Sequence, residues 1–279
     1  MKTITEFKRM KAEGEKIVMM TAYDYPTAVF AEKADVDLLL VGDSLGMVVL
    51  GYASTVYVTS DDMIHHGKAV RRGAKDTFLV VDLPFGSFRG SEDRILTEAI
   101  RIFQETGADA LKVEGADEVL DVIRLLTKTG IPVVAHLGLL PQSAAVIGGY
   151  KVQGKTSQAA LKIIDEAQAC EAAGACMVVV ECVPHQLTQK LSEAVQIPII
   201  GIGAGVEADG QVLVFHDLVK YGDHKLPKFA HAFSDAGSVV LDGICAYTNA
   251  VRERNFPNEK HQFNMKEEEV GNLYGGKSQ

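Results

Sequence analysis

Four short apolar segments of this chain each end on a carboxylate residue. The acids are Asp43, Asp82, Glu114 and Glu181. Short apolar segments between turn residues are typical of strands that are buried on both faces of a parallel sheet. The carboxyl ends of such strands meet at the edge where α/β proteins build their active sites. Because four acids converge on that edge, the sequence predicts a divalent cation and general acid/base chemistry.

Two basic residues are predicted to lie beside these acids. Lys112 and Glu114 are two residues apart on one strand, so their side chains lie on the same face. They could form a purely structural ion pair, but burial of both charges is costly, which favours a role in binding an anion or a metal. His136 ends the next strand and is interpreted as a substrate-binding or proton-relaying residue.

The residue types also indicate which metal and which base to expect. Asp and Glu ligands without a Cys/His cluster favour a hard cation, so magnesium is preferred over zinc. Glu181 lies among apolar neighbours and is the predicted general base. Ser44 follows Asp43 within 41–46, where the glycines are expected to permit a tight turn. An Asx turn would account for Asp43 alone, but not for the three other strand-end acids.

Two further motifs have less specific interpretations. The glycine-rich segment 201–205 lacks the full spacing of a dinucleotide-binding loop. It is expected either to bind phosphate or to leave room for a bulky ligand. His65 and His66 are adjacent on a predicted helix and cannot both face one ion, so they are interpreted as surface or structural residues.

The elements that must position these residues alternate along the chain. Helical patterns over 93–105, 116–127 and 158–172 separate the predicted strands. Roughly eight such βα units predict an α/β fold, a closed (βα)8 TIM barrel, with an open doubly wound sheet as the alternative. An N-terminal capping helix over 3–13 and one or two C-terminal closing helices over 227–251 complete the prediction. The predicted strands are 17–20, 38–42, 78–82, 110–114, 133–136, 177–181, 199–202 and 212–215.

Length and composition limit the classes of protein. One domain is predicted over 1–263, followed by a flexible tail over 264–279. A net charge of −9 argues against a nucleic-acid-binding surface. There is no apolar run long enough to span a bilayer and no signal-peptide pattern at the N-terminus, so a cytoplasmic protein is expected. The four cysteines are expected to be free thiols.

Motifs spread over nearly the whole chain resemble the ketopantoate hydroxymethyltransferase family. The matching segments are 21–24, 41–46, 66–73, 82–85, 112–115, 136–143, 148–154, 181–184, 200–205, 209–214 and 227–229. The resemblance implies a (βα)8 barrel that assembles as a homo-oligomer, a decamer. It also implies transfer of a hydroxymethyl group from 5,10-methylenetetrahydrofolate to 3-methyl-2-oxobutanoate, which gives 2-dehydropantoate for pantothenate synthesis.

Residue roles follow from the same resemblance. Asp43, Asp82 and Glu114 would surround the magnesium ion, and Glu181 would remove the C3 proton of the keto acid. The resulting enolate would attack the iminium carbon of the folate, and water would complete the transfer. The residues implied in binding the keto acid are Asp43, Ser44, Asp82, Lys112 and His136.

Two alternatives remain open from the residues themselves. One is a magnesium-dependent lyase or mutase of the phosphoenolpyruvate mutase and isocitrate lyase type, although the Lys-Lys-Cys-Gly-His motif of those lyases is absent here. The other is a non-catalytic barrel that acts as an assembly scaffold, which would require all four strand-end acids to be incidental.

Overall fold

The computed structural model describes residues 1–275 and contains a closed barrel of eight parallel strands. The strands follow one another in chain order around the barrel, and the last pairs with the first. The predicted α/β barrel is therefore confirmed, and the open sheet is excluded. The strands are β1 (Ile17–Thr21), β2 (Leu38–Val41), β3 (Phe78–Asp82), β4 (Ala110–Glu114), β5 (Val133–Gly138), β6 (Met177–Glu181), β7 (Ile199–Ile202) and β8 (Gly210–Leu213).

Helices connect these strands and surround the barrel. The predicted helices over 93–105, 116–127 and 158–172 are confirmed. The second begins at Val119, because Gly115 and Asp117 before it have left-handed backbone angles, with φ of +105° and +51°. The helices are α1 (Ile4–Glu13), α2 (Tyr25–Lys33), α3 (Leu45–Val48), α4 (Ser60–Gly73), α5 (Glu92–Thr106), α6 (Val119–Lys128), α7 (Ala144–Ile147), α8 (Ser157–Ala173), α9 (His185–Ala194), α10 (Phe215–Leu218), α11 (Ala236–Arg252) and α12 (Glu267–Leu273).

The prediction for the eighth strand was displaced toward the C-terminus. The strand ends at Leu213, and the chain then turns into α10, where the Phe215 amide donates to Thr21 Oγ1 at 2.8 Å. Gly210 belongs to the strand because its backbone lies against β1, where a Cβ atom would be 2.4 Å from the Ile17 carbonyl oxygen. Such close backbone contact requires glycine, and an apolar pattern does not reveal it.

Helix α1 closes the bottom of the barrel, as predicted. Thr3 and Glu6 form a capping box that fixes the start of the helix. Phe7 and Met10 are buried beneath the strands, and the Phe7 ring meets Phe78 of β3 edge to face with centroids 5.3 Å apart. The bottom of the barrel is thus filled by apolar side chains.

Alternation along the strands separates two apolar regions. Leu38 and Leu40 of β2 join the cluster inside the barrel, whereas Leu39 and Val41 pack in the layer between the strands and the helices. The same alternation continues to the carboxyl ends of the strands, where the residues that face the barrel interior become polar. The closed barrel therefore sets an apolar floor beneath a polar upper layer.

The C-terminal region differs from the prediction of closing helices. The segment 227–251 contributes a single helix, α11, and none of its residues is buried. The tail includes the short helix α12, also with no buried residue, and 276–279 lie outside the described residues. Within residues 1–275 no helix has the length and apolar character needed to cross a membrane. All four cysteines are free thiols, as expected.

Gly138 at the end of β5 provides a test of how tightly β5 and β6 pack. Gly138 and Gly130 both have positive φ, +86° and +93°, but only at Gly138 would a Cβ atom meet backbone, 2.3 Å from the Glu181 carbonyl oxygen. We expect Gly130→Ala to lower the free energy of unfolding by about 1–2 kcal/mol through backbone strain alone. Gly138→Ala should cost about 1–3 kcal/mol more because β6 must move. Urea denaturation measures both, and equal costs would contradict the close packing.

Candidate functional site

One large cavity lies at the carboxyl ends of the strands and has a volume of about 920 Å³. It contains every site residue that the sequence predicts. Their positions on five different strands or strand ends explain why they are far apart in sequence but adjacent in space. The predicted residues that line it are Asp43, Ser44, Asp82, Lys112, Glu114, His136 and Glu181.

A buried ion pair between neighbouring strands lies at the base of this cavity. Lys112 Nζ is 2.9 Å from Asp82 Oδ1, and both side chains are at most 4% exposed. The two residues face each other across the β3–β4 register. Burial lowers the pKa of Lys112, but Asp82, Glu114 and Asp43 outweigh it and raise that pKa, so the ammonium stays charged. The pair thus supplies a fixed positive charge within the barrel.

Asp43 brings a further carboxylate next to this pair. Its backbone amide donates to Asp82 Oδ2 at 3.0 Å, which holds the two residues together. Burial and the adjacent Asp82 and Glu114 carboxylates raise the pKa of Asp43 well above its ordinary value. Burial also raises the pKa of Asp82, although Lys112 opposes this. Converging carboxylates with raised pKa values form an environment that a bound cation would stabilise.

Glu114 is engaged differently from Asp43 and Asp82. Its Oε2 accepts from the Gln142 amide at 3.0 Å, and its Oε1 lies 3.3 Å from His136 Nδ1. Burial raises the pKa of Glu114, but His136, Lys112 and the Gln142 amide lower it by more, so the group remains ionised. Both carboxylate oxygens therefore already have polar neighbours within the protein.

His136 connects Glu114 with the predicted base. His136 Nε2 lies 3.3 Å from Glu181 Oε2, in contact but without hydrogen-bond alignment. Burial and Lys112 lower the pKa of His136, whereas Glu114 and Glu181 raise it more, to about 9. Glu181 is the more accessible of the two, with 16% of its side chain exposed against 4% for His136. A carboxylate that contacts a buried imidazole and is open to the cavity can take a proton from a ligand.

Gln142 is a site residue that the sequence analysis missed. Its side-chain amide donates to Asp43 Oδ2 at 2.9 Å and to the Leu83 carbonyl at 3.1 Å. It lies in the 3-10 turn Pro141–Ser143 after β5. Its backbone and side chain together hold two of the predicted acids. An uncharged residue beyond the strand end carries no charge pattern, so only its place within the family-like segment 136–143 could have drawn attention to it.

The glycines beside Asp43 provide space rather than an unusual turn. Neither Gly42 nor Gly46 has a positive φ. A Cβ atom on Gly42 would lie 2.9 Å from Ser44 Oγ, and one on Gly46 would lie 2.5 Å from Val58 Cγ2. Ser44 is held in place by Tyr23, whose hydroxyl lies 2.8 Å from Ser44 Oγ. The prediction that these residues lie at the rim is correct, but the reason is close packing.

The less specific motifs now have structural explanations. A Cβ atom on Gly203 would meet the Phe229 ring at 2.9 Å, and one on Gly205 would meet His185 Cβ at 2.3 Å. Both glycines therefore make room for the chain's own side chains. His66 is structural, since its Nδ1 lies 2.6 Å from the Tyr23 carbonyl oxygen, while His65 is exposed.

One wall of the cavity was also missed. The residues that line it are Asp217, Tyr221, His224 and Phe229. They follow β8, the strand whose predicted bounds differ most from the observed ones. Irregular chain forms most of this wall, so no hydrophobic periodicity marks it in the sequence.

Solved structures resemble the fold of this chain. Phosphonopyruvate hydrolase in complex with oxalate and Mg²⁺ matches with a TM-score of 0.60 at 13% identity, covering 99% of this chain and 95% of that one. A 2,3-dimethylmalate lyase of the PEP mutase/isocitrate lyase superfamily matches with a TM-score of 0.57 at 16% identity, covering 99% and 96%. At such identities the similarity establishes the barrel architecture alone.

Curated relatives are far more similar in sequence. A 3-methyl-2-oxobutanoate hydroxymethyltransferase of Lysinibacillus sphaericus (strain C3-41) is 63% identical over 276 residues, which is 99% of both chains. The enzyme of the same name from Bacillus cereus (strain ATCC 14579) is 59% identical over 277 residues, 99% of this chain and all of its own. The profile of ketopantoate hydroxymethyltransferase matches residues 1–259. With its strand-end acids gathered in one barrel mouth and this similarity along its whole length, the chain belongs to the ketopantoate hydroxymethyltransferase family.

Proposed function

We propose that this enzyme transfers a hydroxymethyl group from 5,10-methylenetetrahydrofolate to 3-methyl-2-oxobutanoate and gives 2-dehydropantoate, a precursor of pantothenate. The observation that carries the proposal is the division of charge in the cavity. Asp43, Asp82 and Lys112 form one group on adjoining strands, while Glu181 lies apart against His136. One group suits the polar head of a keto acid, and the other suits removal of its C3 proton.

The residues present fit a magnesium ion at Asp43 and Asp82. Within residues 1–275, no three His, Cys, Asp or Glu side chains lie close enough to hold an ion together. Magnesium does not need such a cluster, since it is commonly bound by one or two carboxylates with the remaining positions filled by water and substrate. Burial and the neighbouring carboxylates raise the pKa values of Asp43 and Asp82, and a bound cation would offset that repulsion. Glu114, whose oxygens face Gln142 and His136, would act on the ion through water.

The protein's own side chains then hold and deprotonate the keto acid. Lys112 supplies the positive charge that attracts the substrate carboxylate, and Ser44, held by Tyr23, supplies a hydroxyl next to Asp43 in the chain. Magnesium, when bound, acts as a Lewis acid that stabilises the enolate form of the keto acid. Glu181 receives the C3 proton, and the His136 ring lies in contact with its carboxylate.

We also propose that the enzyme works as a homo-oligomer, a decamer by resemblance to its family. Val240, Leu241, Ile244 and Val251 lie on one side of α11, and each is 43% or more exposed in the single chain. A continuous apolar face of this kind is typical of a surface covered by another subunit. In the single chain α11 buries none of its residues, so it does not close its own barrel.

Removal of the Glu181 carboxylate should stop proton exchange at C3. With magnesium and no folate, the wild-type enzyme is expected to exchange the C3 proton of 3-methyl-2-oxobutanoate in heavy water, and Glu181→Gln should slow exchange by about 10²- to 10⁴-fold. Proton NMR measures the rate, and Glu193→Gln, an exposed acid on α9, is the matched control. Exchange by wild type no faster than in buffer would overturn the assignment of the base. A full assay with methylenetetrahydrofolate separates a transferase from a lyase or a scaffold.

Direct contact of Asp43 with the metal and water-mediated contact of Glu114 predict different losses of metal affinity. Asp43→Asn removes a direct ligand and should abolish measurable binding of Mn²⁺, used as a magnetic substitute in the presence of the keto acid. Glu114→Gln should weaken binding by only about 10- to 100-fold, as expected for a residue that acts through a bound water. Electron paramagnetic resonance measures free Mn²⁺, and Glu118→Gln, an exposed acid near the rim, is the control. Equal losses for Asp43→Asn and Glu114→Gln would mean that Glu114 is a direct ligand.

The apolar face of α11 can be tested by charge insertion. Ile244→Asp should reduce the sedimentation coefficient to that of a smaller assembly, because a charge would be buried in the subunit interface. Asn249→Asp adds the same charge five residues later, on the opposite side of the helix, and should leave the assembly unchanged. A wild-type protein that sediments as a monomer would contradict the proposed oligomer.

A further inference from the structure

A second acid–base pair lies on the cavity wall, apart from the residues that the proposed function uses. His224 Nε2 is 2.8 Å from Asp217 Oδ1. Asp217 is buried, whereas 35% of the His224 side chain is exposed, and both residues line the cavity. Within residues 1–275, neither side chain forms an ion pair or hydrogen bond with Asp43, Asp82, Lys112, Glu114, His136 or Glu181, so the pair is not in direct contact with them.

The surrounding chain holds this pair in a fixed position. Asp217 lies on α10, which is attached to the end of β1 through the Phe215 amide and Thr21 Oγ1. A hydrogen bond of 2.8 Å from the Phe233 amide to the Leu218 carbonyl joins the two ends of the segment that carries His224. In between, Phe229 packs against Gly203, where no side chain would fit. An imidazole whose carboxylate partner and backbone are both fixed can act as a directed acid or base.

The cavity is larger than the keto acid requires. 3-Methyl-2-oxobutanoate has eight non-hydrogen atoms, whereas cavities of about 300–1,000 Å³ typically enclose drug-sized ligands. At about 920 Å³ this cavity has room for a second, much larger molecule above the keto acid. The Asp217–His224 pair lies on the wall that such a molecule would contact.

The chemistry of the proposed reaction requires acid and base catalysis on that second molecule. After C3 of the keto acid bonds to the one-carbon unit, it carries two methyl groups, the carbonyl carbon and the new CH2 group, and no hydrogen. An adduct in which this CH2 is still bonded to a folate nitrogen cannot lose the amine by elimination. Displacement of the folate nitrogen by water would need attack on the CH2 carbon, which is shielded by the adjacent quaternary carbon. The oxygen must therefore enter the one-carbon unit before the C–C bond forms.

We propose that His224, positioned by Asp217, is a second catalytic acid–base group that hydrolyses the methylene bridge of the folate donor and releases formaldehyde into the cavity. The inference rests on the proposed function. In this order of steps, water adds to the one-carbon unit before the enolate does. The order implied by the family resemblance is the reverse, with the enolate attacking the iminium carbon first.

The proposed hydrolysis passes through an iminium ion and an N–CH2–OH group. Protonated His224 donates its proton to one folate nitrogen, whose bond to the methylene carbon breaks and leaves an iminium ion at the other nitrogen. Water adds to that carbon, His224 takes the proton released, and an N–CH2–OH group results. His224 returns that proton to the second nitrogen as the C–N bond breaks. It then takes the hydroxyl proton, which gives tetrahydrofolate and formaldehyde and restores the protonated imidazole. The enolate then adds to formaldehyde, and the proton held by Glu181 goes to the new alkoxide.

Three assays on the same set of variants test this assignment. The first is C3 proton exchange without folate, the second is transfer from methylenetetrahydrofolate with excess tetrahydrofolate to keep free formaldehyde low, and the third is product formation from supplied formaldehyde. His224→Gln should lower kcat for transfer by about 10²- to 10⁴-fold while exchange and the formaldehyde reaction stay at the wild-type rate. Asp217→Asn should show the same selective loss. His231→Gln, an exposed histidine of the same segment that does not line the cavity, should match wild type in all three assays.

The outcomes separate this inference from the proposed function. Wild-type transfer rates in His224→Gln would overturn the role of His224. Parallel loss of all three activities in both variants would mean that the pair is only structural, which also overturns it. A wild-type enzyme that uses methylenetetrahydrofolate but not formaldehyde would overturn the order of steps. Absence of both exchange and transfer in wild type would instead contradict the proposed function itself.

Discussion

The buried pair of Lys112 and Asp82 is the interaction on which the rest of the site depends. A lysine that is 4% exposed is tolerated only because three carboxylates surround it, and those carboxylates in turn need its charge. The closed barrel forces this arrangement, since alternate residues of β3 and β4 must point inward at the level where the strands end. Removing either partner would leave an uncompensated charge in the barrel.

Around this pair the site is divided by strand position. The carboxylates and the lysine lie on or directly after β2, β3 and β4, the imidazole lies on β5, and the more accessible acid, Glu181, lies on β6. His136 lies between Glu114 and Glu181, so it is in contact with both parts. The chain after β8 adds a third part with its own His–Asp pair. A ligand at the base of the cavity and one against this wall would meet different acid–base groups within one space.

Close packing fixes the loops that hold these side chains. Gly138 lies against the Glu181 carbonyl, Gly203 lies against Phe229, and Gly42 leaves space for Ser44. Gln142 adds three hydrogen bonds that tie Asp43, Glu114 and the Leu83 carbonyl together. Each contact joins segments from different strands. The precision of the site therefore comes from the barrel as a whole and from no single motif.

The sequence by itself determined the strand-end acids, the βα alternation and the capping helix, because hydrophobic periodicity and capping residues are local properties. It also determined that Lys112 and Glu114 share a face, since that depends only on strand geometry. Only the tertiary structure decided that Glu114 is held by Gln142, that α11 leaves the barrel, and that Asp217 pairs with His224. These features join residues that are distant in the chain or lie in irregular segments, where no periodic pattern records the contact.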